Sequence, residues 1–257
     1  MSPSILYCGD TSLATAASYL GGVITASGWS FDYVASDQEL FVDRIGNRRL
    51  IILSDYPSAR LLSGTADAIV ASVQAGCGLL MIGGWESYHG LGGDWDRSPV
   101  ARCLPVEIAA ADDRRNCDHV ILARPGSLAS DHPILQGLPW ESSPPVIGGY
   151  NQFEARANSQ TLLWADHYAP RAEIPGEAAA FPRMEQTPLL VVSEFGLGRV
   201  AALATDLAPH WVGPLVDWGA SQNRPRVTAR APGAEAVEVG SYYARFVQQL
   251  LAWTSRL

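Results

Sequence analysis

The chain has 257 residues, 47% of them hydrophobic and 17% charged, and a formal net charge of −8. That acidic balance, with basic residues paired only at Arg48-Arg49 and Arg114-Arg115, excludes nucleic acid as an expected partner, and no stretch approaches the about 20 apolar residues of a membrane span. Four cysteines (Cys8, Cys77, Cys103, Cys117) without CxxC spacing or zinc-spaced histidines, behind an amino terminus without a secretory pattern, predict a reduced cytoplasmic protein.

Ser4 to Asp10 reads as a short apolar strand, followed by a helix over Ser12 to Gly21. Phe31 to Ala35 is a second strand, and Asp37 is placed to cap a short helix from Glu39 to Ile45. Leu50 to Pro57 is a third, uniformly apolar strand. Thr65 to Ala75 is an amphipathic helix closed by Gly76, and Leu79 to Ile82 a fourth strand. Uniformly apolar strands separated by helices predict a parallel sheet covered on both faces. Beyond residue 97 short β-like runs follow one another: Val106 to Ile108, His119 to Leu122, Val146 to Tyr150, Thr161 to Trp164, Leu189 to Phe195 and Gly198 to Ala204. Gly196-Leu197 joins the last two as a tight hairpin. Residues 223–240, rich in proline and small residues, read as an exposed loop or arm, and Tyr242 to Ser255 as a final amphipathic helix. No compositional break divides the chain, so one domain over residues 1–257 is expected.

The fourth strand runs into Gly83-Gly84-Trp85-Glu86-Ser87, a small-x-x-x-small pattern with the spacing of a strand-to-helix nucleophile elbow. The central position is Trp85, and an indole cannot attack a carbonyl. No displaced nucleophile replaces it: Cys8 sits among apolar residues without a nearby histidine, and Ser87, two residues before His89, lacks flanking glycines.

This layout resembles the class I glutamine amidotransferase-like superfamily. More narrowly it resembles a family of cytoplasmic proteins described as glutamine amidotransferases, relatives of trehalose-utilisation-type proteins. The matching residues are Met81-Ile82-Gly83-Gly84-Trp85-Glu86-Ser87, Ser98-Pro99-Val100-Ala101-Arg102-Cys103-Leu104-Pro105-Val106-Glu107 and Asp131-His132-Pro133-Ile134-Leu135-Gln136-Gly137-Leu138. Gly148-Gly149-Tyr150-Asn151, Pro188 to Phe195, Gly198-Arg199 and Thr205-Asp206-Leu207-Ala208-Pro209-His210-Trp211 complete the set. The resemblance implies a flavodoxin-like three-layer α/β sandwich with a mainly parallel central sheet, extended here by antiparallel strands. An active glutaminase of that superfamily needs an elbow Cys and a His. Here the Cys position falls on Trp85, and His210 is followed by Trp211-Val212, without the superfamily's His-x-Glu pair. Glutamine hydrolysis is therefore not expected.

In an open parallel sheet, ligands bind outside the carboxyl ends of the strands. The segments reaching that edge predict a polar cleft of Asp10, Asp55, Glu86, Asp206 and His210, with Gly84 and Tyr150 as further ligand contacts. Glu86, Asp206 and His210 are the candidate catalytic groups. Trp85 is either an aromatic wall or a packed filler, and Asp10 and Asp55 are either ligand contacts or helix caps. The expected partner is a small polar metabolite, with carbohydrate as one candidate class; no cofactor or metal motif is present. The competing readings are a hydrolase using Glu86, Asp206 and His210, with or without a metal, and an oligomeric structural component. In the latter the 223–240 arm, Trp211 and Trp218 would make contacts within a homo-oligomer.

Overall fold

The computed structural model describes residues 4–127, 129, 131–169, 181–219 and 226–257. Its centre is a nine-stranded mixed sheet in the order β2-β1-β3-β4-β11-β10-β9-β6-β7. The strands β1 (Ile5–Gly9), β2 (Phe31–Val34), β3 (Leu50–Ser54), β4 (Gly78–Ile82) and β11 (Gly198–Leu203) pair in parallel. β10 (Arg183–Phe195), β9 (Gln160–Tyr168), β6 (Arg114–Pro125) and β7 (Val146–Asn151) then extend it antiparallel. All five residues of β1, β3 and β4 are buried, as strands covered on both faces require.

The helices α1 (Ala17–Ala26) and α4 (Ser241–Ser255) contact each other on one face of the sheet. β1 leads leftward to β2 and β3 rightward to β4, so the right-handed crossover rule places α2 (Thr65–Gln74) on the other face. The expected α/β layering is present. Tyr243, Phe246, Val247, Leu250 and Leu251 are the buried stripe of α4, which contacts β3, β4 and β11.

Several local expectations are corrected. The first helix begins at Ala17, because Ser12 closes a turn first: its hydroxyl accepts from Ala14 N–H at 3.0 Å. It continues through Gly21 and Gly22, where the bare backbone admits a neighbour. A Cβ on Gly22 would lie 2.9 Å from Ala229 Cβ. That neighbour is the antiparallel hairpin of β12 (Val227–Arg230) and β13 (Ala236–Val239). The expected exposed arm is thus, from residue 226 onward, a hairpin seated on α1 with Ala229, Ala231 and Val239 buried; residues 223–225 lie outside the described residues. The short helix expected at Glu39 to Ile45 is a 3₁₀ turn at Val42–Arg44 that Asp37 does not cap. Two strands form a small separate ladder, β5 (Val106–Ile108) with β8 (Phe153–Ala155). α3 (Pro209–Val216) was not expected as a helix. Trp218 is buried, its ring 4.5 Å from that of Trp140, and Trp211 packs on Gly149. Neither is the exposed contact surface anticipated.

The largest correction concerns the turn after β4. No helix follows it, and residues 83–94 run as turns to a 3₁₀ segment at Trp95–Arg97. Trp85 is not among the described non-glycine residues at positive φ. Without the sharp strained turn, it is not an elbow.

Among the described residues no helix is long and apolar enough to cross a membrane.

Candidate functional site at the carboxyl edge of the parallel strands

β1, β3, β4 and β11 run the same way, so the residues following them gather at one edge. The chain leaves β1 leftward and β3 rightward, which makes this edge the switch point where open α/β sheets take ligands. Asp10 and Asp55 follow β1 and β3 directly, both with φ near 50°. Left-handed backbone is rare for non-glycine residues and is held only where the surroundings over-determine it. Here Asp10 N–H donates to Ser54 O at 2.9 Å, and the Asp10 carbonyl accepts from Tyr33 Oη at 2.8 Å and Ser36 N–H at 3.0 Å. Asp55 N–H donates to Ser87 Oγ at 2.9 Å. Neither aspartate caps a helix: α1 starts seven residues beyond Asp10 without a side-chain cap, and Asp55 Oδ1 accepts the Glu86 N–H.

Electrostatics ties the cluster together. Burial pushes the Asp10 carboxyl well above the usual carboxylate range, and the negative Asp206 adds to this; the Tyr7 hydroxyl, which donates to Asp10 Oδ2, opposes it. Burial likewise raises Asp55 to about 6, against the Glu86 N–H bond and with Asp206 adding. Asp206 is buried, its Oδ1 accepting from Ala208 N–H at 2.8 Å ahead of α3. Its Oδ2 stands 3.2 Å from Nδ1 of His210, a hydrogen bond that raises the half-exposed imidazole's pKa against desolvation. Asp10, Asp55 and His210 thus act on one another around Asp206, the two aspartates shifted toward their neutral form and the imidazole toward its charged form. Asp10 Oδ1 is buried without a hydrogen-bond partner.

The other anticipated residues are placed less centrally. Glu86 gives its backbone N–H to Asp55, while its partly buried carboxyl is raised by desolvation and opposed by Arg60. Gly84 packs where a Cβ would meet Asp55 Oδ1 at 2.7 Å, and its N–H is taken by Asn151 Oδ1 at 2.9 Å. It has no donor left for a ligand. Tyr150 is buried on β7, its hydroxyl 3.4 Å from His167 Nε2, apart from the carboxylate group. Trp85 is 50% exposed with the Arg114 guanidinium 4.4 Å over its ring, so it is not a buried filler.

Three residues that the sequence reading passed over hold the site. Asn151 Nδ2 donates to Asp113 Oδ1 at 2.8 Å and to Gly84 O at 3.2 Å. Asp113, fully buried, also accepts from the backbone of His89 and Gly90, each at 3.0 Å. Tyr7 completes the set through Asp10. Ser87 is excluded as a nucleophile, since its buried hydroxyl donates to Ile82 O and accepts from Asp55 N–H. Cys8 is excluded too: burial pushes its thiol up to about 12, far from the thiolate that attack requires. A groove of about 800 Å³ lies at the opposite edge, lined by Arg48, Arg49, Cys77 and Ser255 among others, away from this chemistry.

The model of the family described as "Putative glutamine amidotransferase" matches residues 35–224. The chain belongs to that family. Two structures similar to this amidotransferase-family chain are Cytoplasmic Protein STM3548 from Salmonella typhimurium and Cytoplasmic Protein STM1381 from Salmonella typhimurium LT2. The first is 22% identical, with TM-score 0.69 and 98% of each chain covered. The second is 24% identical, with TM-score 0.69, covering 97% of this chain and 98% of its own. At these identities the likeness establishes the fold. No curated protein matches the sequence.

Asp55 gives a pH prediction. Its folded pKa lies above the unfolded value of 3.8, so the folded state binds more protons and stability falls as pH rises from about 4 to about 6, then stays lower. Asp55→Asn keeps the acceptor for Glu86 N–H and removes the buried charge. In urea unfolding the variant is expected to gain about 1–3 kcal/mol over wild type at pH 8 and to show little difference near pH 4. Equal stabilities at both pH values would contradict the placement of Asp55.

Proposed function

We propose that this amidotransferase-family protein binds a small hydroxyl-rich metabolite, of carbohydrate type, at the Asp10–Asp55–Asp206–His210 edge, and does not hydrolyse glutamine. The observation that carries the reading is the unpartnered buried Oδ1 of Asp10 beside two further aspartates and a histidine. An unsatisfied buried polar atom costs roughly 1–3 kcal/mol, which a ligand hydroxyl would recover. Carboxyls shifted toward the neutral form beside an imidazole shifted toward the charged form offer donors as well as acceptors, and a sugar hydroxyl is both. Accumulated negative charge disfavours anionic ligands. The half-exposed face of Trp85 suits the apolar face of a sugar ring. The cytoplasmic location belongs to the same proposal, supported by four free cysteines and by the names of the two Salmonella proteins.

A second reading has one specific observation in its favour. The Asp206–His210 pair has the form of an imidazole oriented by a buried carboxylate, which in a hydrolase would serve as a general base. Turnover of L-glutamine and of nitrophenyl glycosides separates the two. The binding reading expects no release of glutamate or nitrophenol above the uncatalysed rate. Turnover that falls about a hundredfold or more in His210→Ala or Glu86→Gln, with the circular dichroism unchanged, would establish the hydrolase instead.

A further inference from the structure

A second cluster of chemistry-bearing side chains lies in the antiparallel half of the sheet, where it takes no part in the carboxylate group. Past the register pair Leu190↔Leu203, where β11 ends, β10 continues toward Arg183 paired with β9. β6 joins through Ile121↔His167 and is irregular between Asn116 and Ile121. Such irregularities re-aim side chains. Along β6 Arg115, Asn116, Asp118 and Val120 are exposed, while Cys117, His119 and Ile121 turn inward, as period-two alternation places them.

The inward pair meets β9. His119 Nε2 and His167 Nδ1 stand 2.9 Å apart, and the Cys117 Sγ joins them with all three ligand atoms within 4.8 Å of one another. From β10, opposite His167 in register, Glu185 brings Oε1 to 3.6 Å from His167 Nδ1. The outward nitrogens have partners of their own. His119 Nδ1 lies 3.2 Å from Asp118 Oδ1; His167 Nε2 lies 3.3 Å from Thr187 Oγ1 and 3.4 Å from the Tyr150 hydroxyl. Donating Nδ1–H to Asp118 and Nε2–H to Thr187 leaves a lone pair on each facing nitrogen. In that tautomer the two nitrogens, which otherwise share one hydrogen bond, face a common point beside a thiol and a carboxylate, as the ligands of a shared cation do. Outer hydrogen bonds that fix the tautomer are the usual companions of metal-binding histidines.

We propose that Cys117, His119 and His167 hold a divalent metal of the zinc class, with the exposed carboxylate of Glu185, 3.6 Å from His167 Nδ1, turning in as the fourth ligand of a tetrahedral site. One thiolate, two imidazoles and one carboxylate are the donor types zinc takes, with Zn–N near 2.0–2.1 Å and Zn–S near 2.3 Å. Those bond lengths hold the two nitrogens about 3.3 Å apart, a few tenths of an ångström wider than they now stand. Loading the site would clamp β6, β9 and β10 together and seat Tyr150 and Thr187 as its outer support.

Cobalt(II) titrated into the metal-free full chain is the test, since cobalt at a tetrahedral thiolate site gives an intense near-ultraviolet charge-transfer band and visible d–d bands. One equivalent is expected to saturate both signals, and one equivalent of zinc to displace it. Cys117→Ser, a conservative change at a partly exposed position, is expected to abolish the charge-transfer band. His119→Ala is expected to weaken binding at least about tenfold. Asp96→Asn, in the separate His89–Asp94–Asp96 cluster, is expected to change neither signal. Thermal unfolding of each variant without metal checks the fold independently. A wild-type titration without the thiolate band, or a band that survives in a folded Cys117→Ser, would overturn the proposal.

Discussion

Replacing Gly9 with alanine is expected to remove more than about 4 kcal/mol of stability, a loss reserved for severe strain or overpacking. Gly9 ends β1 at φ +139°, a region closed to residues with a Cβ, and a Cβ there would fall 1.5 Å from Ser54 O. That carbonyl accepts from Asp10 N–H, so relief by movement would part β1 from β3 where Asp10 and Asp55 emerge. Against a total stability of about 5–15 kcal/mol, soluble yield should collapse. Gly92→Ala is the control: φ is +94°, with no atom within 4 Å of the added Cβ, and only the backbone cost of about 1–2 kcal/mol applies. Equal urea midpoints for the two variants would contradict the close β1–β3 approach.

Asp113→Ala should be nearly as damaging, for a different reason. The carboxylate accepts from His89 N–H, Gly90 N–H and Asn151 Nδ2 inside the protein. Its loss strips the partly buried His89 N–H and the buried Gly90 N–H of their acceptor and leaves Asn151 Nδ2 only its longer bonds to Gly84 O and Ser87 O, at an expected cost of about 3–5 kcal/mol. At this chain length that is a fall of roughly 6–20 °C in Tm. The damage should be centred on residues 83–94, the loop that Asn151 and Asp113 pin, so amide exchange there should rise more than in β3. A Tm within about 2 °C of wild type would show the loop to be held by other means.

The fold was legible because five-residue apolar runs with helices between them leave few alternatives to a covered parallel sheet. The residues at its carboxyl edge followed from strand direction alone, which brought Asp10, Asp55, Asp206 and His210 into one list before any distance was known. What failed was local. The first helix reads as ending at Gly21 because nothing in sequence shows the hairpin whose alanines need the space beside Gly21 and Gly22. Gly83 and Ser87 read as the small residues of an elbow. In the fold they serve close approach to Ala204 O and hydrogen bonding to Ile82 and Asp55. Asp113 stands beside Asp112 and the Arg114-Arg115 pair, a charged context that carries no sign of burial in sequence. Only the long-range contact with Asn151, 38 positions away, makes it an anchor. Tyr150 was picked from a Gly-Gly-Tyr-Asn motif whose working member at this site is the neighbouring Asn151. The imidazole pair His119–His167 spans 48 positions and carries no motif spacing.

Ligand-induced thermal stabilisation reads binding at the carboxylate edge without requiring turnover. Wild type and an Asp206→Asn, His210→Ala double variant would be melted at neutral pH against hexoses, pentoses, disaccharides and polyols. A ligand at a hundred times its Kd adds about 2.7 kcal/mol, a rise of roughly 5–10 °C for a chain of this size. At least one such ligand is expected to produce that rise in wild type and to lose it in the double variant. A panel that leaves wild type unmoved, or a shift that persists undiminished in the double variant, would contradict the account.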